Sequence, residues 1–195
     1  MDLSSIGYTP KDFRVIPVHG KSLLGDFTKK QFRILAVECN ARGSYSSPLQ
    51  TRLKSIFPKL KEDKILSKQD RSLLGTVHLT DVHFQGKGHG IIANMFISSG
   101  YGLGRSGSNR GQNPVNRFSE KFLSSSFDAL IEELRKRNIN PDRQIAVQRF
   151  YGGLGGVEWE AVQTVLDAVC EKHGINILAY LPENYNTGFV RGSHN

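Results

Sequence analysis

A layered α/β domain built on a largely parallel or mixed sheet is predicted by three features of this sequence. Six short runs rich in Val, Ile and Phe recur along the chain, amphipathic helical stretches fall between several of them, and two of the runs are apolar without interruption. Those two, Ile34-Leu35-Ala36-Val37 and Ile91-Ile92-Ala93, match strands covered on both faces. Strands that alternate with helices make α/β layers.

The elements follow in order. Strands are predicted at 13–18 and 32–38, several of the runs being bounded by Gly or Pro. Ser47-Pro48 then starts a helix, since serine caps the first turn and proline suits its first position; Leu49, Leu53, Ile56 and Phe57 give it an apolar face. The runs 76–82 and 90–97, joined by a glycine-containing stretch, form a hairpin. In 119–138 the residues Phe122, Leu123, Phe127, Leu130, Ile131 and Leu134 follow helical spacing, and the basic residues gather at the C-terminal end, where the dipole favours them. A strand at 144–150, a helix at 157–173 with Val162, Val165, Leu166 and Val169 on one face, a stop at Gly174 and a last strand at 176–181 complete the pattern. Residues 98–113, polar and rich in glycine, read as a long surface loop.

The 195 residues suit one domain spanning 1–195, with a core from about 13 to 182. Their 38% hydrophobic content is enough for a core, and no apolar run is long enough to span a bilayer. The start Met1-Asp2-Leu3-Ser4-Ser5 lacks a secretion-signal pattern, and Cys39 and Cys170 are too few for a disulfide framework, so a cytoplasmic protein is expected. Twenty-six Lys and Arg against 18 Asp and Glu leave a net charge of +8, and the pI is near 9.6. Such a chain attracts anions. Between Arg52 and Arg71, seven basic residues face three acidic ones, which reads as a solvated helix face or as a nucleic-acid contact.

The segment most informative about chemistry is Gln148-Arg149-Phe150-Tyr151-Gly152-Gly153-Leu154-Gly155-Gly156-Val157-Glu158-Trp159. A strand enters four glycines within five residues and a helix follows at once. Glycines let main-chain N–H groups approach a ligand, and a helix N-terminus adds unpaired donors and partial positive charge. Residues 152–156 are therefore expected to cradle a phosphate or diphosphate. The match of Gly102-Leu103-Gly104-Arg105-Ser106-Gly107 to the dinucleotide fingerprint is rejected, because poor helix formers follow it. A second strand–loop–helix junction, Cys39-Asn40-Ala41-Arg42-Gly43-Ser44-Tyr45-Ser46-Ser47-Pro48, offers Asn40, Ser44, Ser46 and Ser47 to a ribose or phosphate; the alternative is a serine-rich capped turn. His78, His83 and His89 match no metal-ligand spacing, so neither a metal nor a cofactor is expected.

Taken in order, these segments resemble the macrodomain family, the ADP-ribose-binding α/β fold, and within it the branch of yeast-type ADP-ribose 1''-phosphate phosphatases. The resemblance rests on Cys39-Asn40-Ala41-Arg42-Gly43-Ser44-Tyr45, Phe57-Pro58, Leu73-Leu74-Gly75, Ile92-Ala93-Asn94-Met95-Phe96-Ile97-Ser98-Ser99-Gly100-Tyr101-Gly102 and Gly153-Leu154-Gly155-Gly156-Val157-Glu158-Trp159. It implies a three-layer α/β/α domain whose ligand lies across the C-terminal ends of central strands. Asn40 and Gly43 would then face the distal ribose. Gly152, Gly153, Leu154, Gly155 and Gly156 would wrap the diphosphate, helped by Phe96, Ser98, Ser99 and Gly100.

The chain departs from the family in three places. Ser46-Ser47-Pro48-Leu49-Gln50 replaces a glycine run, Gly20 is followed by Lys21 where many members carry Asp, and Gly155 or Gly156 stands where glycohydrolases carry an acid. Lys21 and the added serines suggest a more anionic or differently shaped ligand. The resemblance implies a hydrolase acting on ADP-ribose derivatives, removing a terminal phosphate. Asn40 would position a ribose hydroxyl or a water, and His19 and His89 are the candidates for proton transfer. The alternatives are a non-catalytic module for an ADP-ribose-like nucleotide and, behind it, a basic nucleic-acid binder. The expected partner is a small-molecule nucleotide, with no membrane.

Overall fold

The computed structural model describes residues 12–84, 88–98, 118–150 and 157–183. Along the chain run β1 (Val15–His19), α1 (Leu23–Thr28), β2 (Ile34–Asn40), α2 (Pro48–Ile56), α3 (Lys59–Glu62), a 3-10 turn (Arg71–Leu73), β3 (Val77–His83), β4 (His89–Ser98), α4 (Glu120–Lys136), β5 (Ile145–Gln148), α5 (Trp159–His173) and β6 (Ile177–Leu181). The strands form one sheet in the order β1-β6-β5-β2-β4-β3. Every neighbouring pair is parallel except β3 with β4, the predicted hairpin.

The uninterrupted apolar runs are explained by burial on both faces. Ile34 and Ala36 of β2, with Ile91, Ala93 and Met95 of β4, pack against Phe127, Leu130 and Leu134 of α4 and Val162 and Leu166 of α5. Leu35, Val37 and Cys39 of β2, with Ile92 and Phe96 of β4, pack beneath α1, α2 and α3 through Phe27, Leu53, Phe57 and Leu60. Two helical layers therefore enclose a mixed sheet, as expected. Three helices begin on serines whose side chains accept a first-turn N–H: Ser22 for α1, Ser47 for α2 and Ser119 for α4. α5 ends at Gly174, whose φ of 66° is left-handed and suits glycine. Among the described residues no helix is long and apolar enough to cross a membrane.

α1 lies outside the sequence expectation. Its six residues carry Gly25 in the middle, too short and too weak a pattern to register as periodicity. Tertiary packing holds it: Phe27 stacks on Phe32 at 5.6 Å between ring centroids and meets Phe57 and Phe84 edge-on.

The middle of α4 is tied to the C-terminal end of α5 by Asp128, which accepts hydrogen bonds from Lys172 Nζ and His173 Nε2, both at 2.7 Å. Burial alone would raise the Asp128 carboxyl, but these bonds outweigh it and hold the group below its ordinary value. A carboxylate whose folded pKa is depressed stabilises the fold above its unfolded pKa of about 3.9 and loses that contribution as pH falls through the folded value. Asp128→Asn is thus expected to be less stable than wild type at pH 7. The difference should shrink as pH is lowered below the ordinary carboxylate value of about 3.9 in urea titrations; a difference that does not change with pH would remove Asp128 from the account.

Candidate functional site

The parallel strands bring their C-terminal ends to one edge of the sheet, where His19, Leu181, Gln148, Asn40 and Ser98 close β1, β6, β5, β2 and β4. Open α/β sheets bind ligands outside this edge, because helix N-termini and loops converge there. A cavity of about 440 Å³ opens at it, between α1, α2 and the ends of β5 and β6. Leu23, Leu24, Leu49 and Leu181 give it apolar walls, while Lys21, Arg52 and Arg149 give it positive charge; among the described residues no carboxylate lines it. A second hollow, about 560 Å³, shares Lys21, Ser22 and Tyr180 with the first and adds Asp26 and Lys29. Tyr180 Oη donates to Asp26 Oδ2 at 2.8 Å. Burial and the Asp26 carboxylate raise the Tyr180 hydroxyl above the usual phenol range, so it stays a donor.

Beside the cavity, a bulge at Cys39/Asn40 takes the chain out of β2 into a tightly tied loop. Asn40 Oδ1 accepts from the N–H of Arg42 at 3.0 Å and of Ser44 at 3.5 Å, and Asn40 Nδ2 donates to Ser44 O at 3.4 Å. This is an Asx-type turn, in which a short amide closes its own loop. Neighbouring segments fix the loop from outside: Ala41 N donates to Ser98 O, Asp70 N donates to Ala41 O, and Arg42 bridges Gln69. Gly43 has φ +73°, and a Cβ there would run into the carbonyl of Ser67. Further on, Ser44 and Ser46 hydroxyls bond each other at 2.7 Å, while Ser47 and Gln50 form a reciprocal capping box at the start of α2. Gln50 is buried, and its Nε2 reaches back to Glu38 O at 2.8 Å, clamping α2 to the end of β2.

No protein-family model matches the chain, and no curated protein matches it by sequence. Solved structures do. A protein of unknown function from Bacteroides thetaiotaomicron superposes with TM-score 0.64 and 14% identity over 87% of this chain and 98% of its own. The macrodomain of DarG from Mycobacterium tuberculosis gives TM-score 0.59 and 18% identity over 85% and 97%. DarTG of Thermosipho africanus, in complex with ADP-ribose, gives TM-score 0.62 and 20% identity over 83% of this chain and 41% of the larger one. The chain has the macrodomain fold.

On this macrodomain fold Asn40, Gly43, Ser44, Ser46, Ser47 and Ser98 gather around the end of β2, and His19 lies on the same edge, three strands away. Ser47 is spent on the cap of α2 and Asn40 on its own loop, so both build the site's framework. Two expected site residues are not brought to it. His89 opens β4, nine residues before Ser98 and so about 30 Å away at the opposite edge; it pairs there with His83, ring centroids 4.4 Å apart. Phe96 is 1% exposed in the core beneath α2 and α3, and its main chain is taken by Gly75 and Thr76, so it is a packing residue. Ser99, Gly100, Gly152, Gly153, Leu154, Gly155 and Gly156 lie outside the described residues.

Other residues at this macrodomain edge were missed or misread in the sequence. Arg52 is hidden in a basic run, and Arg149 precedes the glycines unremarked. Asp26 supplies an acidic side chain to the second hollow, although the position after Gly20 is Lys21. Within the basic run, Lys54 donates to Tyr45 O, Lys59 to Asp81 O, and Lys68 pairs with Asp70, so part of its charge is structural. The two thiols are unsuited to nucleophilic work. Burial, with Glu38 adding to it, drives Cys39 far above the usual thiol range, and burial pushes Cys170 up to about 12.

Proposed function

We propose that this protein binds an ADP-ribose-type nucleotide across the C-terminal edge of its sheet. The observation that carries the reading is the cavity at that edge, apolar on one side, lined by Lys21, Arg52 and Arg149 and, among the described residues, by no carboxylate, beside the tied Asn40 loop. An aromatic base needs the apolar wall and phosphates need the cations. Two further points support it. α1, α2 and α4 begin on capping serines, whereas α5 has Glu158 at its N-cap without a side-chain hydrogen bond, and the four-glycine run precedes it in sequence. The T. africanus neighbour is in complex with ADP-ribose. In this reading the amides of residues 152–156 hold the diphosphate, assisted by the Ser98-Ser99-Gly100 turn, and the loop at Gly43 and Ser44 receives the distal ribose.

A second reading adds turnover: attack of water on the terminal phosphate of ADP-ribose 1''-phosphate, breaking its ester bond and releasing phosphate and ADP-ribose. His19, the side chain expected to transfer the proton, has its Nδ1 3.4 Å from the carbonyl of Pro182, a residue of the cavity wall, three strands from the loop that receives the distal ribose in this reading. Calorimetry with ADP-ribose, run beside a phosphate-release assay on ADP-ribose 1''-phosphate, separates the two. Binding in the micromolar range is expected; phosphate release from ADP-ribose 1''-phosphate would add catalysis, and absence of binding to both compounds would refute both readings.

A further inference from the structure

The diphosphate is assigned above to main-chain amides, and the cavity between α1 and α2 presents three side-chain cations besides. Lys21, on the β1–α1 loop, and Arg52, on α2, make no ion pair or hydrogen bond with another described residue, whereas nearby Lys54 and Lys68 are both engaged. Two cations without a partner among the described residues, facing one concave, partly apolar space, repel each other and favour an anion between them.

The position of the cavity says which part of a nucleotide this would be. It opens at the ends of β5 and β6, and the Asn40 loop leaves β2, two strands from β6 and so about 10 Å away. On the reading just given, on which this inference rests, the loop receives the distal ribose and the diphosphate lies between. The cavity then holds the nucleoside. Leu24, Leu49 and Leu181 offer surface for its base, but an ordinary nucleoside ribose is neutral and gives Lys21 and Arg52 nothing to neutralise. A phosphomonoester does: it carries a charge of about −1.5 to −2 at neutral pH, and its oxygens fit the two-pronged guanidinium.

We propose that this cavity reads a phosphomonoester on the nucleoside ribose, so that the preferred ligand is a 2'- or 3'-phosphorylated ADP-ribose-type nucleotide, with Arg52 and Lys21 as the specificity-determining pair. The lysine is the same one that replaces the acid found after the early glycine in many macrodomains.

Calorimetry on the full chain tests this with matched ligands: ADP-ribose against ADP-ribose 2'-phosphate, and AMP against adenosine 3',5'-bisphosphate. Wild type should bind at least one phosphorylated member about tenfold or more tightly than its partner, and the pair that discriminates identifies the 2' or 3' position. Arg52→Gln should bring that ratio close to one, Lys21→Gln should reduce it, and Arg52→Lys should leave an intermediate value because charge survives without the fork. Arg52 and Lys21 are both exposed, so these variants are expected to fold as wild type does. Equal affinity within each pair for wild type would overturn the proposal while leaving the nucleotide reading intact. So would a ratio unmoved by both charge-removing variants. If none of the four compounds binds, the nucleotide reading falls and takes this inference with it.

Discussion

Gly43→Ala is expected to destabilise the protein by about 3 kcal/mol and to weaken nucleotide binding at the same time. The Asn40 loop needs a left-handed residue here, at φ +73°, and an L side chain pays about 1–2 kcal/mol to adopt that conformation. Space is the larger problem. A Cβ would overlap the carbonyl oxygen of Ser67 and stand 2.9 Å from its carbon and 3.0 Å from that of Lys68. Main chain cannot swing aside as a flexible side chain would, and this stretch is pinned by the Asp70–Ala41 hydrogen bond and the Arg42–Gln69 bridge. Urea denaturation of wild type and variant checks the stability change. A loss under about 0.5 kcal/mol would show that the loop does not sit against residues 67–68 in solution.

Gln50→Leu is expected to cost about 2–4 kcal/mol despite its similar volume and apolar surroundings. Gln50 is 4% exposed and makes three bonds that leucine cannot: Nε2 to Glu38 O, Oε1 from Ser47 N at 2.9 Å, and the close approach of Nε2 to Cys39 Sγ at 3.8 Å. The substitution takes a partner from the half-buried Glu38 carbonyl and from the Ser47 N–H and dissolves half of the capping box. Gln50→Glu is the informative companion. It keeps an acceptor for Ser47 but brings a carboxylate against the Glu38 carbonyl, so it should be at least as destabilising at pH 7 and recover partly on acidification. Thermal melts at pH 7 and pH 4.5 test this, and a neutral Gln50→Leu would mean that α2 is held to β2 by apolar packing alone.

Strand placement was readable because short Val/Ile/Phe runs, bounded by turn residues, leave few other structures for the chain. All six appear, with ends shifted by at most two residues. Ser47-Pro48 and Gly174 marked helix ends for local steric reasons, and both hold. The site was harder. α1, which walls both hollows, is one and a half turns stabilised by Phe27 packing on rings distant in sequence, and no window along the chain reports that. His89 and Phe96 were misread because a linear pattern gives neither the end of a strand nor the face that meets a ligand. Gln50 read as an awkward replacement for a small residue, whereas the fold uses its amide as a clamp. Arg52 shows the converse: its charge was plain, but its isolation in a concave wall emerges only when α1 and α2 face each other across β5 and β6.

On the proposed reading, the nucleotide lies across the C-terminal edge of the sheet. An amide-resolved NMR titration with ADP-ribose tests it most directly. Saturable shifts are predicted at Lys21, Ser22, Ala41, Gly43, Ser44, Arg52 and Gln148, with Val82, His83, His89 and Gly90 at the opposite edge unmoved. Shifts centred on the His83–His89 hairpin end, or none at millimolar ADP-ribose, would contradict it.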